Sequence, residues 1–277
     1  MGITKAIGFV LVLFVTATVA AKNSKFSGLE GSPGLRSASA IVLDSHGNVI
    51  YGKDVNTVRS IASITKLMTA MVVLDADLDL DKNIAIANGD RDLIRKTGSR
   101  LSVGATLTRR ELLLLALMSS ENRAATALGR TYPGGLESFI TAMNSKAVGL
   151  GMNSSHFADP AGLNADNVST ASDLTRMLTA AQRYPMITES TTTTHHDVRP
   201  YNSRGPLTFN NTNRLLKNKN WDIELSKTGY INEAGRCLVM KTNIEGEEVS
   251  IVLLNSFGKL TPYGDSNRLR KWMLANS

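Results

Sequence analysis

The chain has a single cysteine, Cys237, and only four histidines in 277 residues. One thiol excludes a disulfide within the chain. Its setting, Arg236-Cys237-Leu238-Val239-Met240, reads as strand interior, where a buried, inert thiol is expected. The histidines form no His-Glu-x-x-His, and His195-His196 has no evident third ligand, so neither a metal nor any other cofactor is implied. His46 reads as a turn residue and His156 as a packing residue. Aromatic residues make up 5% of the chain and do not interleave with the basic ones, which argues against nucleic acid as a partner. The longest strongly apolar run, Ile7 to Val15, falls short of the roughly 20 apolar residues that a spanning helix requires.

That short run has another reading. Lys5 precedes it and small residues follow to Ala20 and Ala21, the layout of a secretory signal peptide over residues 1–21, cut after Val19-Ala20-Ala21. No stable membrane anchor is then expected in the mature chain. The formal net charge is +7, and +6 once Lys5 is removed, a modest excess that suits an acidic polymer such as a cell wall. Residues 22–35 are polar and Gly/Ser-containing and read as an extended arm. Residues 36–277 then form one domain with a helical insert over about 75–190.

Within that domain, β-like segments at Ala38 to Leu43 and Val49 to Lys53 flank a hairpin turn, Asp44-Ser45-His46-Gly47-Asn48. Ser63 to Asp75 reads as a helix whose residues 67, 68, 71 and 74 face a core. Thr108 and Glu111 form a capping box ahead of Leu112 to Leu117, which is apolar nearly all round and so predicts a buried central helix. Thr170 reads as a further cap. Strands are expected again at Leu225 to Thr228, Arg236 to Asn243 and Val249 to Asn255, then an amphipathic helix after Pro262.

Three motifs carry the chemistry: Ser63-Ile64-Thr65-Lys66, Ser120-Glu121-Asn122 and Lys227-Thr228-Gly229. They supply a nucleophile, an amine to activate it, a second hydroxyl and a cationic clamp for a carboxylate. Serine acyl transfer needs no histidine when such a set is present. Ser-x-x-Lys alone means little, because 25 serines and 14 lysines yield about one match by chance, and a second does occur, Ser256-Phe257-Gly258-Lys259. A second Lys-Thr-Gly occurs at Lys96-Thr97-Gly98. Context separates the copies. Ser63 opens a helical run that puts Lys66 on its own face, whereas Ser256 follows a strand and Lys96 lies in a charged loop. Arg236, on the strand next to the clamp, reads equally as a carboxylate contact or as half of an ion pair.

With Ile61 to Ala70, Phe157 to Leu163 and Ser169 to Leu174, these motifs resemble the penicillin-binding D-alanyl-D-alanine peptidases over roughly residues 36–275. Ser119 to Ala125 and Lys227 to Tyr230 are most similar to the D-alanyl-D-alanine endopeptidase subgroup (penicillin-binding protein 7). The common carboxypeptidases of the family have Gly in place of Glu121, and a further β domain and membrane anchor that find no counterpart here.

The resemblance implies an α/β (α+β) transpeptidase-like fold, an antiparallel sheet flanked by helices plus a helical subdomain, with the site between them. It implies peptidoglycan peptide stems as substrate, β-lactams as acylating inhibitors and a periplasmic location. Ser63 would be acylated. Lys66, its pKa lowered by partial burial and by the like charge of Lys227, would act as base. Ser120 would relay the proton and Asn122 would orient Lys66 and the substrate amide. Lys227 and Thr228 would hold a carboxylate, and Gly229 would let substrate backbone lie on the strand. The amides of Ser63 and Tyr230 would form an oxyanion hole. A carboxypeptidase is the alternative. A serine β-lactamase is a weaker one, since neither Glu137 nor Glu189 is followed four residues on by Asn. A non-catalytic wall-binding module is disfavoured by the intact set of catalytic residue types.

Overall fold

The computed structural model describes Gly2 and residues 24–277; the expected leader otherwise lies outside the described residues. Among the described residues, no helix is long and apolar enough to cross a membrane. The chain opens with β1 (Ser37–Leu43) and β2 (Val49–Lys53), which pair antiparallel around the expected turn. There the Asp44 carboxylate accepts from the His46 and Asn48 amides at 2.9 and 2.8 Å and so holds the reversal.

A short β3 (Arg59–Ser60) leads through a 3-10 turn, Ala62–Ile64, into α1 (Thr65–Asp75). The helical part follows: β4 (Asn83–Ala85), β5 (Thr106–Thr108), α2 (Arg109–Met118), α3 (Asn122–Arg130), α4 (Gly135–Gly149), β6 (Val168–Ser169), α5 (Ala171–Ala181) and α6 (Pro185–Thr192). A ribbon of β7 (His195–Val198) and β8 (Leu207–Asn210) returns the chain to the sheet. Three ten-residue strands, β9 (Asp222–Ile231), β10 (Gly235–Ile244) and β11 (Glu247–Ser256), precede α7 (Thr261–Asn276).

The five long strands form one antiparallel sheet in the order β2-β1-β11-β10-β9, so the first hairpin docks on the last strand before α7 and β9 is left at an edge. Period-two alternation splits the sheet's side chains between two cores. Val239, Val252 and Leu254 face the helical part, where Leu67, Met68, Leu113 and Met177 are also fully buried. Leu238, Ile251 and Leu253 face α7 and its Leu269, Trp272 and Met273.

Helix α2 is the hub of the first core. Its capping box is present, with the Glu111 carboxylate accepting from the Thr108 amide at 2.8 Å and the Thr108 hydroxyl accepting from the Glu111 amide at 3.2 Å. Thr170 likewise caps α5 by accepting from the Asp173 amide at 3.0 Å.

Where described, the arm packs on the domain: Phe26 is fully buried in the second core, and Trp272 Nε1 donates to the Glu30 carbonyl at 2.8 Å. Truncating such a side chain costs about 3–5 kcal/mol. Two expectations need correction, at His156 and at the clamp motif, and the buried Phe26 is an addition to them. His156 is exposed; only its backbone packs, in a bridge to Val168. And Lys227-Thr228-Gly229 lies in the middle of β9 rather than at a strand end, because Tyr230 and Ile231 continue the pairing to β10.

Candidate active site

Three pieces of chain that lie far apart in sequence converge beside the β9 edge. The first is the 3-10 turn that carries Ser63. Ala62 within it has φ 46°, a left-handed conformation held by close packing from both sides. A Cβ on Gly229 would sit 2.8 Å from the Ile61 carbonyl and 3.1 Å from the Ser63 amide, and one on Gly162 only 2.0 Å from the Ala62 carbonyl. Glycine at both positions lets strand and loop close on the backbone around Ser63.

The second piece is the α2–α3 junction. Ser120 has φ 60° and is clamped between two fixed neighbours. The Ser119 and Glu121 amides both donate to the Leu115 carbonyl at 3.1 Å. The Glu121 carboxylate caps α3 through the Ala124 amide at 2.7 Å and accepts from Ser99. The Glu in the middle motif is therefore a buried brace that fixes Ser120 and Asn122 on either side of it.

The third piece is β9. The Lys227 side chain is buried and donates to Ser120 Oγ at 2.9 Å and to the Thr228 carbonyl at 3.0 Å. Thr228 Oγ1 bonds Thr212 Oγ1 at 2.7 Å, and the Thr212 amide donates to the Met118 carbonyl at 3.1 Å, which ties the strand to the end of α2.

Lys66 lies at the centre. It is fully buried, and its Nζ donates to Ser63 Oγ at 2.8 Å, to Asn122 Oδ1 at 2.8 Å and to the Ala161 carbonyl at 2.6 Å. Burial pushes its pKa down to about 8, while the carboxylates of Asp159, Glu121 and Asp92 hold it up. Burial is thus complete rather than partial, and the repulsion between the two lysines falls on Lys227. Burial first, and then the charge of Lys66, drive the Lys227 pKa well down.

Sequence reasoning missed several parts of this arrangement. Asp159 accepts from the backbone amides of Ala161, Gly162 and Asn164, each at 2.6 Å, and so folds the loop that aims the Ala161 carbonyl at Lys66. The Asp-Pro-x-Gly pattern around it was the available signal. Thr97, from the Lys-Thr-Gly copy set aside above, accepts from Asn122 Nδ2 at 3.0 Å. Asp92 in turn binds the Thr97 hydroxyl at 2.7 Å. By contrast, Ser256 is buried with its hydroxyl bonded to Ser37 Oγ at 2.7 Å, and Lys259 is exposed, so that pair forms no site. Arg236 has no ion pair among the described residues; its guanidinium lies 3.6 Å from the centroid of the Tyr230 ring. No group of His, Cys, Asp and Glu suited to a metal occurs among the described residues.

A cavity of about 480 Å³ opens from Ser63, Ser120 and Asn122 along Thr228, Gly229 and Tyr230. Its base combines a hydroxyl bonded to a buried amine, a second hydroxyl on a second buried amine and an amide between them. That set can add a serine to a carbonyl and move the released proton.

Comparison with known proteins agrees with this geometry. Residues 28–258 match the model of a peptidase family described as D-alanyl-D-alanine carboxypeptidase. The chain is 48% identical over 264 residues to a D-alanyl-D-alanine endopeptidase of Pseudomonas aeruginosa, covering 95% of this chain and 85% of that one. It is 47% identical over 242 residues to the enzyme of the same name from Escherichia coli, covering 87% and 78%. Among solved structures, a Streptomyces DD-transpeptidase superposes with a TM-score of 0.81 at 28% identity, covering 89% of this chain and all of that one. Ser63 with its buried Lys66, the braced Ser120 and the Lys-Thr-Gly edge strand therefore belong to a member of the S11 serine peptidases, the D-alanyl-D-alanine carboxypeptidase family.

Proposed function

We propose that this chain is a serine DD-peptidase of the bacterial cell wall that hydrolyses the peptide cross-links of peptidoglycan as a D-alanyl-D-alanine endopeptidase. The observation that carries the reading is the fully buried Lys66 Nζ, 2.8 Å from Ser63 Oγ with its pKa lowered to about 8. The amine is close enough to neutrality to take the serine proton. The two relatives described above, both named endopeptidases, favour cross-links as the substrate.

In this mechanism Ser63 Oγ bonds to the D-alanyl carbonyl carbon, and the amide C–N bond breaks. The serine proton passes to Lys66 and, through Ser120, to the leaving amine. Water then hydrolyses the ester and restores Ser63. The amides of Ser63 and Tyr230 stabilise the oxyanion, Asn122 holds Lys66 and the substrate amide, and Gly229 admits the substrate backbone along the β9 edge.

The two lysines couple binding to activation. A substrate carboxylate held by Thr228 and Lys227 favours the charged form of Lys227, against the burial and the Lys66 charge that lower its pKa. A charge on Lys227 in turn disfavours one on Lys66, which helps that amine act as the base. β-Lactams, which present an acyl carbonyl beside a carboxylate, acylate Ser63 by the same route. The leader over residues 1–21 is removed on export, and the enzyme works in the periplasm.

The test is to incubate the mature protein with cross-linked muropeptide dimers and pentapeptide monomers in one tube and follow the masses, with Ser63→Ala beside it. Dimers should split while pentapeptides persist, and Ser63→Ala should do neither. Loss of terminal D-alanine with dimers intact would instead make the protein a carboxypeptidase, a reading favoured by the name of the family it belongs to.

A further inference from the structure

The cavity extends well past the atoms that the reaction uses. Beyond Thr228 it is lined by Arg214, Arg236 and Lys259, and no aspartate or glutamate lines it. Arg214 follows Asn213 at the start of a 3-10 turn ahead of β9, and Lys259 lies in the turn between β11 and α7. Both side chains are exposed, and none of the three cations has a carboxylate partner among the described residues.

Their convergence has a backbone cause. The pairing of β10 with β11 slips between Arg236 and Leu238, and Asn255 opposite has φ 50°, which marks an extra residue in β11. Such a bulge turns the strand end and re-aims its side chains. Arg236 consequently lies opposite Ser256, directly before the turn that carries Lys259. Arg236 is also pre-set, because its guanidinium is stacked on the Tyr230 ring with its donors unpaired. Three unpaired cations around one cavity repel each other, and an anion entering the cavity relieves that repulsion.

We propose that Arg214, Arg236 and Lys259 form a second anion subsite that reads carboxylates on the leaving side of the substrate, in addition to the one held by Thr228 and Lys227. This deepens the endopeptidase reading and rests on it. The leaving group of a carboxypeptidase is free alanine, with one carboxylate and too little length to fill the cavity. The leaving group of a cross-link hydrolase is a whole peptide stem, which carries further carboxylates. The subsite thus selects a polyanionic stem and would bind the released stem as a product inhibitor.

The experiment measures how well a synthetic stem tetrapeptide with a diamino acid at its third position protects the protein from acylation by a fluorescent penicillin. The peptide is compared with the same sequence in which the carboxylates remote from the leaving amine are amidated. The wild type should be protected about tenfold better by the acid form, and the ratio should shrink as salt rises. In Arg236→Gln and in Arg214→Ala/Lys259→Ala the ratio should fall towards one; labelling by the penicillin itself reports that each variant is folded. Equal protection by the acid and amide forms in the wild type, or a ratio that the variants keep, overturns the subsite. The endopeptidase reading fails by a separate result, normal penicillin labelling without dimer cleavage, and the protection ratio decides the subsite in either case.

Discussion

Two stretches of this chain share the pattern Ser-x-x-Lys, and their surroundings make them different objects. At 63–66 the pattern runs through a 3-10 turn into α1; the lysine is fully buried and its amine is 2.8 Å from the serine oxygen. At 256–259 it leaves a strand into a turn; the serine is buried against Ser37 and the lysine stands in solvent. The same contrast separates the two Lys-Thr-Gly copies, one with its lysine buried in a sheet edge and the other in a loop with Lys96 at φ 55°. A motif acquires chemistry when the fold dehydrates its amine and fixes its spacing. Neither second copy is idle, however: Thr97 holds Asn122 and Lys259 lines the cavity.

The comparison breaks most sharply at the two serines. Ser63→Ala should abolish the covalent penicillin adduct. Ser256→Ala should leave acylation within about twofold and lower stability by about 1 kcal/mol, for one lost buried hydrogen bond; thermal melts beside fluorescent-penicillin labelling check both. Gly229→Ala comes next, because its Cβ would push on the Ile61 carbonyl and the Ser63 amide. A displacement of that kind near the nucleophile should slow acylation about a hundredfold, read by stopped-flow labelling.

The pH profile tests the dehydrated amine. Acylation of the free enzyme should rise with pH through about 8, since only neutral Lys66 accepts a proton. Stability should also rise with pH, between about 8 and the ordinary lysine value of 10.5, because in that window the unfolded chain binds more protons. A profile flat from 6 to 10 would contradict the assignment of the base. The smallest effect is expected at the loop copy: Thr97→Val, which removes the acceptor for Asn122 Nδ2, should slow acylation several-fold, whereas Lys96→Ala should change it little.

Much of this was legible in the chain. The turn at 44–48, the Thr108–Glu111 box and the apolar run of α2 declare themselves through local physics, because caps and periodicity involve neighbours in sequence. Strand β9 was read too short, since Gly229 suggests an ending when no partner strand is visible. The motif residues were legible because their types and order are distinctive. Asp159, Thr97 and the brace formed by Glu121 were not, since their roles come from contacts between loops tens of residues apart. Phe26 was missed for a related reason: one aromatic in a polar stretch gives no periodicity, and its burial depends on α7 at the other end of the chain.

The lone cysteine has a practical consequence. Cys237 pairs with Gly229 across β10 and β9, lines the cavity from beneath, and is 2% exposed, with burial pushing its thiol up to about 11. No other sulfhydryl competes for reagent in this chain. A maleimide can therefore enter only when the catalytic end of the sheet opens, and its rate of incorporation is a clock for that local opening. Loading the site with penicillin should slow the clock, so one native atom reports how firmly an acyl group fastens the sheet edge, without a probe being engineered into the protein.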